Sequence, residues 1–261
     1  MSRSHLKDIQ SEPDRRNLPI NQVGVKDISY PVIVLDKSGG EQHTVARVNM
    51  YVDLPHHFRG THMSRFIEIL NRYRTGISTR KIREILVDMQ KSLQAETAYF
   101  EIVFPYFITK EAPVSKEKAK MEYLCRLVGQ STADYYLLEV KVPVLSLCPC
   151  SKEISEYGAH NQRSVITIQI KAHEKIWIED IVAVAEQSAS SEIYSILKRD
   201  DEKYVTERAY EKPMFVEDMV RAAAQKLTQL DGVLWFSVES ENMESIHNHS
   251  AYARIVKNIC L

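Results

Sequence analysis

The sequence is sparing with the residues that punctuate or staple a chain: of 261 residues, eight are glycine, nine proline and four cysteine. So few glycines exclude a collagen-like chain. They also leave no G-x-G-x-x-G, no P-loop G-x-x-x-x-G-K and no G-x-S-x-G elbow, so a Rossmann dehydrogenase, a P-loop NTPase and an α/β-hydrolase are poor readings. Four cysteines in a chain of this length do not make a disulfide framework, and reduced thiols in a cytoplasmic setting are expected. The opening MSRSHLKDIQSEPDRRN has no apolar core of a secretory signal. Charged residues break every apolar stretch well short of the ~20 residues of a spanning helix, so no membrane partner is expected. Charge of one sign is missing too. Thirty-four Lys and Arg face 35 Asp and Glu for a formal net charge of −1. No global basic field exists to hold nucleic acid, although a pocket for one phosphorylated metabolite stays open.

What is present reads as an α+β chain. The first 20 residues are polar and aperiodic and are expected as a loose arm or a segment docked on a neighbour. From Val45 to Leu54 apolar residues alternate, and Pro55 ends that strand. Helical spacing follows in MSRFIEILNRYR, closed by Gly76, and in STRKIREILVDMQKSLQAE, which Ser78 can cap. The strands TAYFEIVFPYFI and KMEYLCRLVGQ come next, joined by a charged link. A second series then has the strands YYLLEVKVPVLSL and RSVITIQIKA. Helices are predicted over WIEDIVAVAEQSASSEIYSILKR and VEDMVRAAAQKLTQL, then the strand VLWFSVES and a last element SAYARIVKN. The run RDDEKYVTERAYEK reads as a solvated connector. Two series of antiparallel strands with an inserted helix pair point to a duplicated architecture with its boundary near Thr132.

Three segments carry candidate chemistry. In SLCPCSKEISEYGAHNQRS, Cys148 and Cys150 flank Pro149 at a strand end and His160 follows. Thiolate and imidazole suit a zinc-like ion with an open position, while a nucleophilic cysteine or two ordinary core thiols fit the same pattern. In ESENMESIHNHSAYAR, Glu244, His247 and His249 offer acid–base groups or ligands, or form a plain polar loop. In RGTHMSRF, His62, Ser64 and Arg65 open a helix, where free amides and Arg favour a phosphate, and where a capping serine beside a surface arginine explains the pattern equally. Pattern alone singles out neither Glu202, within the charged run, nor Glu217, a first-turn carboxylate.

Together these three segments resemble the GTP cyclohydrolase type IB family, from Val45 to the C-terminal end. The resemblance implies a tunnelling fold (T-fold): two tandem β-β-α-α-β-β modules with antiparallel sheets, assembling as a barrel-like homotetramer with sites between subunits. The expected division is an arm over 1–24, a first module over 25–131 and a second, carrying the metal site, over 132–261. The first module then needs one more strand, for which SYPVIVLDKSGGEQHTVARVNMYVDL has room, with SGGE as the turn. The implied reaction converts GTP and water to 7,8-dihydroneopterin triphosphate and formate, the first step of tetrahydrofolate biosynthesis. Carried onto this chain, Cys148, His160 and Glu202 would hold a divalent zinc, manganese or iron ion that activates the water attacking guanine C8. Glu244, His247, His249 or His160 would move protons. Glu217 would anchor the purine through its N1 and 2-amino hydrogens. His62, Ser64, Arg65 and Arg163 are the candidates for the triphosphate.

Two rivals remain. A T-fold nitrile reductase of the queuosine type would use a nucleophilic Cys and NADPH. A non-enzymatic module would use an ion at the Cys/His cluster only to brace the fold.

Overall fold

The computed structural model describes residue 10, residues 12–133 and residues 135–259. Two compact units form, one from Met1–Leu35, His43–Val103 and Leu127–Tyr136, the other from Asp36–Gln42, Phe104–Arg126 and Leu137–Leu261.

In the first unit, β1 (Ile20–Leu35) and β2 (Glu41–Leu54) supply the additional strand that the tunnelling-fold resemblance called for. Helices α1 (Met63–Tyr73) and α2 (Thr79–Leu93) follow, and β3 (Ala98–Glu111) pairs antiparallel with β2, Val48 opposite Ile102 and Met50 opposite Phe100. The period-two pattern of β2 turns Val48, Met50 and Val52 inward, while the helices bury Phe66, Ile69, Ile82, Ile85 and Met89. Each such side chain contributes roughly 1.5–3 kcal/mol by leaving water. Ser78 caps α2, its Oγ accepting from Lys81 N. The first described residues of the arm are bonded to their own chain: Gly60 N donates to Gln10 O and Arg59 N to Glu12 O.

β4 (Lys118–Gln130) returns beside β3, and these two strands run through both units. At Gly129 the first unit's sheet meets α2 closely. A Cβ placed there would lie 2.4 Å from Ile82 Cγ2, which no real pair of carbons tolerates.

The second unit orders β5 (Tyr136–Leu147), β6 (Asn161–Ala172), β8 (Val233–Met243) and β9 (Ser250–Asn258) side by side, with the two-residue β7 (Ser191–Glu192) on β5. Val140, Val142 and Val144 of β5 and Ile166, Ile168 and Ile170 of β6 form the buried face. Over it lie α4 (Ile178–Gln187), burying Ile181, Val182 and Ala185, and α6 (Val216–Thr228), burying Met219, Val220, Ala223 and Leu227. The short helix α3 (Pro149–Ile154) follows β5 directly.

Two expectations are corrected here. The helix predicted through WIEDIVAVAEQSASSEIYSILKR ends at Gln187: Ser188 Oγ turns back to Val184 O, a local bond that competes with helix, and the buried Ser190 Oγ is taken by Leu147 N of β5. The charged run beginning at Arg199 is helix α5 (Arg199–Glu211), not a connector. Its start is fixed by Asp201, which is fully buried and accepts hydrogen bonds from Lys198 N, Val114 N, Ser115 N and Ser115 Oγ. Burial alone would raise the Asp201 pKa, but these donors outweigh it and hold the carboxyl well below the usual range.

A buried charge network ties the same unit together. Lys110 Nζ lies 2.7 Å from Glu186 Oε1 and 2.6 Å from Glu192 Oε2, and Tyr123 OH donates to Glu186. Burial pushes the Glu186 pKa up and would do the same to Glu192, but the hydrogen bond and charge of Lys110 hold Glu192 down. Among the described residues no helix is long and apolar enough to cross a membrane.

Gly129→Ala should destabilise the protein by about 2 kcal/mol through overpacking against Ile82, read as a lower urea midpoint at unchanged slope. A second test concerns the turn after β1, where Asp36 accepts from Ser38 Oγ and Gly40 N, both at 2.7 Å. The Ser38 bond is the largest influence on the Asp36 pKa and lowers it, burial opposes, and Gly40 N–H adds to the lowering. A depressed folded-state pKa gives stability that is complete above the unfolded value of about 3.9 and lost as pH falls through the folded value. The destabilisation caused by Asp36→Ala should therefore be constant from pH 8 to 5 and shrink below about pH 4, measured by urea unfolding across that range.

Candidate active site

The site is built at the end of β5. Pro149 cannot donate to a ladder and takes the first position of α3, which leaves Cys148 as the residue before the helix. Ser151 N donates to Cys148 Sγ at 3.5 Å, and Ser151 Oγ donates to Cys148 O. The chain then loops out and returns as β6, where Cys148 N donates to His160 O at 3.1 Å. That bond brings together the two residues that the motif separates. Both side chains are half-buried.

Two linkers grip the residue just before the thiol. Leu147 N donates to Ser190 Oγ at 3.1 Å, and Leu147 O accepts from Met214 N at 3.0 Å. The first bond comes from the serine run after α4, the second from the α5–α6 linker. Lys152 of α3 also stacks over the Tyr210 ring, 4.3 Å from its centroid, near the end of α5. Glu217 lies three residues beyond Met214, exposed in the first turn of α6, while its neighbour Asp218 caps that helix by accepting from Phe215 N.

On the other side, the loop between β8 and β9 reaches His160. Ser245 Oγ lies 3.2 Å from His160 Nδ1, and Gln162 Oε1 lies 3.0 Å from the same nitrogen. Gln162 Nε2 donates in turn to Glu244 Oε1 at 3.1 Å. The rings of His247 and His249 stack in this loop, centroids 5.2 Å apart, and both are exposed.

The structure thus gathers Cys148, His160 and Glu244 into one neighbourhood, with His247 and His249 on the loop that Glu244 anchors. It does not gather a full donor set: among the described residues no three His, Cys, Asp or Glu side chains come together as a metal site. Glu202 is exposed in α5, Arg163 is exposed on β6, and Cys150 is exposed in the first turn of α3. In the first unit, His62 precedes α1 without a side-chain cap bond, so Ser64 is not the cap. Arg65 donates to Ser92 O at 2.9 Å. Both His62 and Arg65 line a cavity of about 180 Å³ with Asp53, Phe58 and Gln94, whereas Ser64 is exposed.

Pattern reading missed Gln162, Ser190, Met214 and Ser245. Gln162 did carry a signal, because it occupies the inward face of β6 in register with Ser164, Ile166 and Ile168. A polar residue at an inward position needs a partner, and its partners are site residues. Ser190 and Met214 act through distant backbone and leave no pattern.

Solved structures show the same fold. A hyper-thermostable AgUricase variant, 8% identical, superposes with a TM-score of 0.51 over 92% of each chain. A highly active BTUO variant, 9% identical, gives 0.51 over 92% of this chain and all of that one. The fold is the tunnelling fold. A family model described as type I GTP cyclohydrolase folE2 matches residues 6–253. The protein named GTP cyclohydrolase FolE2 from Geotalea uraniireducens is 57% identical, covering 97% of this chain and 94% of that one. Proteins of the same name from Geobacter metallireducens and Nitrosococcus oceani are each 58% identical, over 97% and 96% of this chain and 97% and 94% of theirs. With the match running through both units and across every site segment, the chain belongs to the type I GTP cyclohydrolase FolE2 family.

Proposed function

We propose that this protein is the type IB GTP cyclohydrolase that its family membership indicates, converting GTP and water to 7,8-dihydroneopterin triphosphate and formate at the start of tetrahydrofolate biosynthesis. The observation that supports the reading is the hydrogen bond from Cys148 N to His160 O, with Ser245 beside Glu244 reaching the His160 ring, inside a chain of this family. The expected division into modules 25–131 and 132–261 is part of the same proposal, as are a cytoplasmic setting and a homotetramer. Exposed Glu202, Glu217 and Arg163 suit a pocket that a second copy of the chain completes.

Cys148 Sγ and His160 Nε2 are the soft and borderline donors that a zinc-class ion takes, and Glu202 is the third donor we assign. The chemistry of this set fits zinc, manganese or ferrous iron. When bound, such an ion supplies Lewis-acid activation of water. The chain's own groups do the rest. Protonation of guanine N7 makes C8 more electrophilic, and His247 or His249 is suited to deliver that proton because imidazole exchanges protons near neutral pH. The Glu217 carboxylate accepts from guanine N1–H and the 2-amino group in parallel, a pair that adenine does not present. Arg163 is assigned to the triphosphate, and His62, Ser64 and Arg65 of the first unit are separate candidates for a phosphate group.

Stripping the protein with a chelator should abolish neopterin fluorescence from GTP while the circular dichroism stays folded, and one added-back divalent ion should restore it. Unfolding on chelation would instead support an ion that braces the fold. Glu217→Gln should weaken GTP binding by about 2–3 kcal/mol, the order expected when hydrogen bonds to a charged group are lost. Calorimetry with an unchanged affinity would remove Glu217 as the purine anchor.

A further inference from the structure

The amide of Gln162 is the polar group at the site to which the mechanism gives no task. It is 6% exposed, and both of its ends are engaged. Its orientation is settled by chemistry: an ionised carboxylate only accepts, so the group 3.1 Å from Glu244 Oε1 must be the Nε2 donor. The Oε1 end then faces His160 Nδ1 at 3.0 Å. An amide oxygen also only accepts, so Nδ1 must carry the hydrogen, and Ser245 Oγ at 3.2 Å accepts from the same N–H. In the neutral ring the lone pair is thereby left on Nε2.

We propose that Gln162 is a positioning residue that relays the negative charge of Glu244 to His160, fixing the tautomer in which Nε2 is the free electron pair. The inference rests on the reading of His160 as a metal ligand. It gives Glu244 a role other than proton transfer: its carboxylate polarises the Gln162 amide, the amide oxygen becomes a better acceptor, and Nε2 becomes the more basic ring nitrogen. The geometry of the β6 strand favours this. Gln162 is the first inward-facing residue of β6, just after His160, so the ring is held by a buried residue that cannot swing into solvent.

The test uses Co²⁺ as the probe on the full-length chain, followed by the thiolate-to-cobalt absorption band in the near ultraviolet. Wild type should show the band and saturate. Gln162→Leu should raise the Co²⁺ dissociation constant 10–100-fold, the range seen when an outer-shell partner is removed, with unchanged circular dichroism. Gln162→Glu combined with Glu244→Gln exchanges the two groups while keeping one acceptor toward Nδ1 and one negative charge in the pair, and it should recover wild-type affinity. A purely structural role for Gln162 does not predict that recovery. The double variant also keeps the buried volume and a hydrogen-bonding group at each position, so it reads the same claim if Gln162→Leu fails to fold. Wild-type affinity in a folded Gln162→Leu, or a double variant that stays weak, overturns the relay. A wild-type chain with no cobalt–thiolate band overturns the metal assignment itself, and the relay with it, a result distinct from a wild type that binds and a variant that binds equally.

Discussion

The hydrogen bond from Cys148 N to His160 O is the constraint from which the site follows. Without it, the thiol would end one strand and the imidazole would begin another, with an excursion of exposed residues between them. With it, the β5–β6 ladder continues past the last residue of β5, and the loop Pro149–Ala159 is a closed excursion from a fixed base. Pro149 contributes by refusing the ladder and starting a helix, so the chain leaves the sheet directly after the thiol. The ring of His160 is then held by Gln162 of β6 and by Ser245 of the β8–β9 loop, and Glu244 of that loop holds Gln162 in turn.

Much of the fold was legible because its signals are local and repeated. β2 alternates throughout and β5 and β6 over most of their length, α1, α2 and α6 carry apolar stripes at helical spacing, and SGGE marks a turn that Asp36 closes. What was not legible depended on partners remote in the chain. α5 looked like a connector because its composition is charged throughout; its start is set by Asp201 capturing the Val114–Ser115 turn, about 86 residues away. The early end of α4 was hidden in part the same way, since Ser190 finds its donor, Leu147 N, only in the folded unit.

The site was readable to a similar depth. Cys148, His160, Glu244 and the histidine pair announce themselves by residue type and spacing, and the structure draws the first three together. By pattern Glu202 is an unremarkable carboxylate of a charged connector and Glu217 an ordinary first-turn one, and in a single chain both are exposed. Their assignment leans on the family, not on the geometry. The network of Lys110, Glu186 and Glu192 shows the converse: one amine and two carboxyl groups with no motif, buried together because Lys110 reaches both carboxyl groups and offsets part of their lost hydration.

Leu147 has one further implication. Its amide hydrogen goes to the Ser190 hydroxyl and its carbonyl oxygen to Met214, so the residue beside the thiol is clamped by the helical layer, not by its neighbouring strand. The sulfur is therefore geared to the α5–α6 linker. That linker runs straight into α6, so the backbone that holds the thiol in place and the first turn that carries Glu217 belong to one continuous stretch of chain.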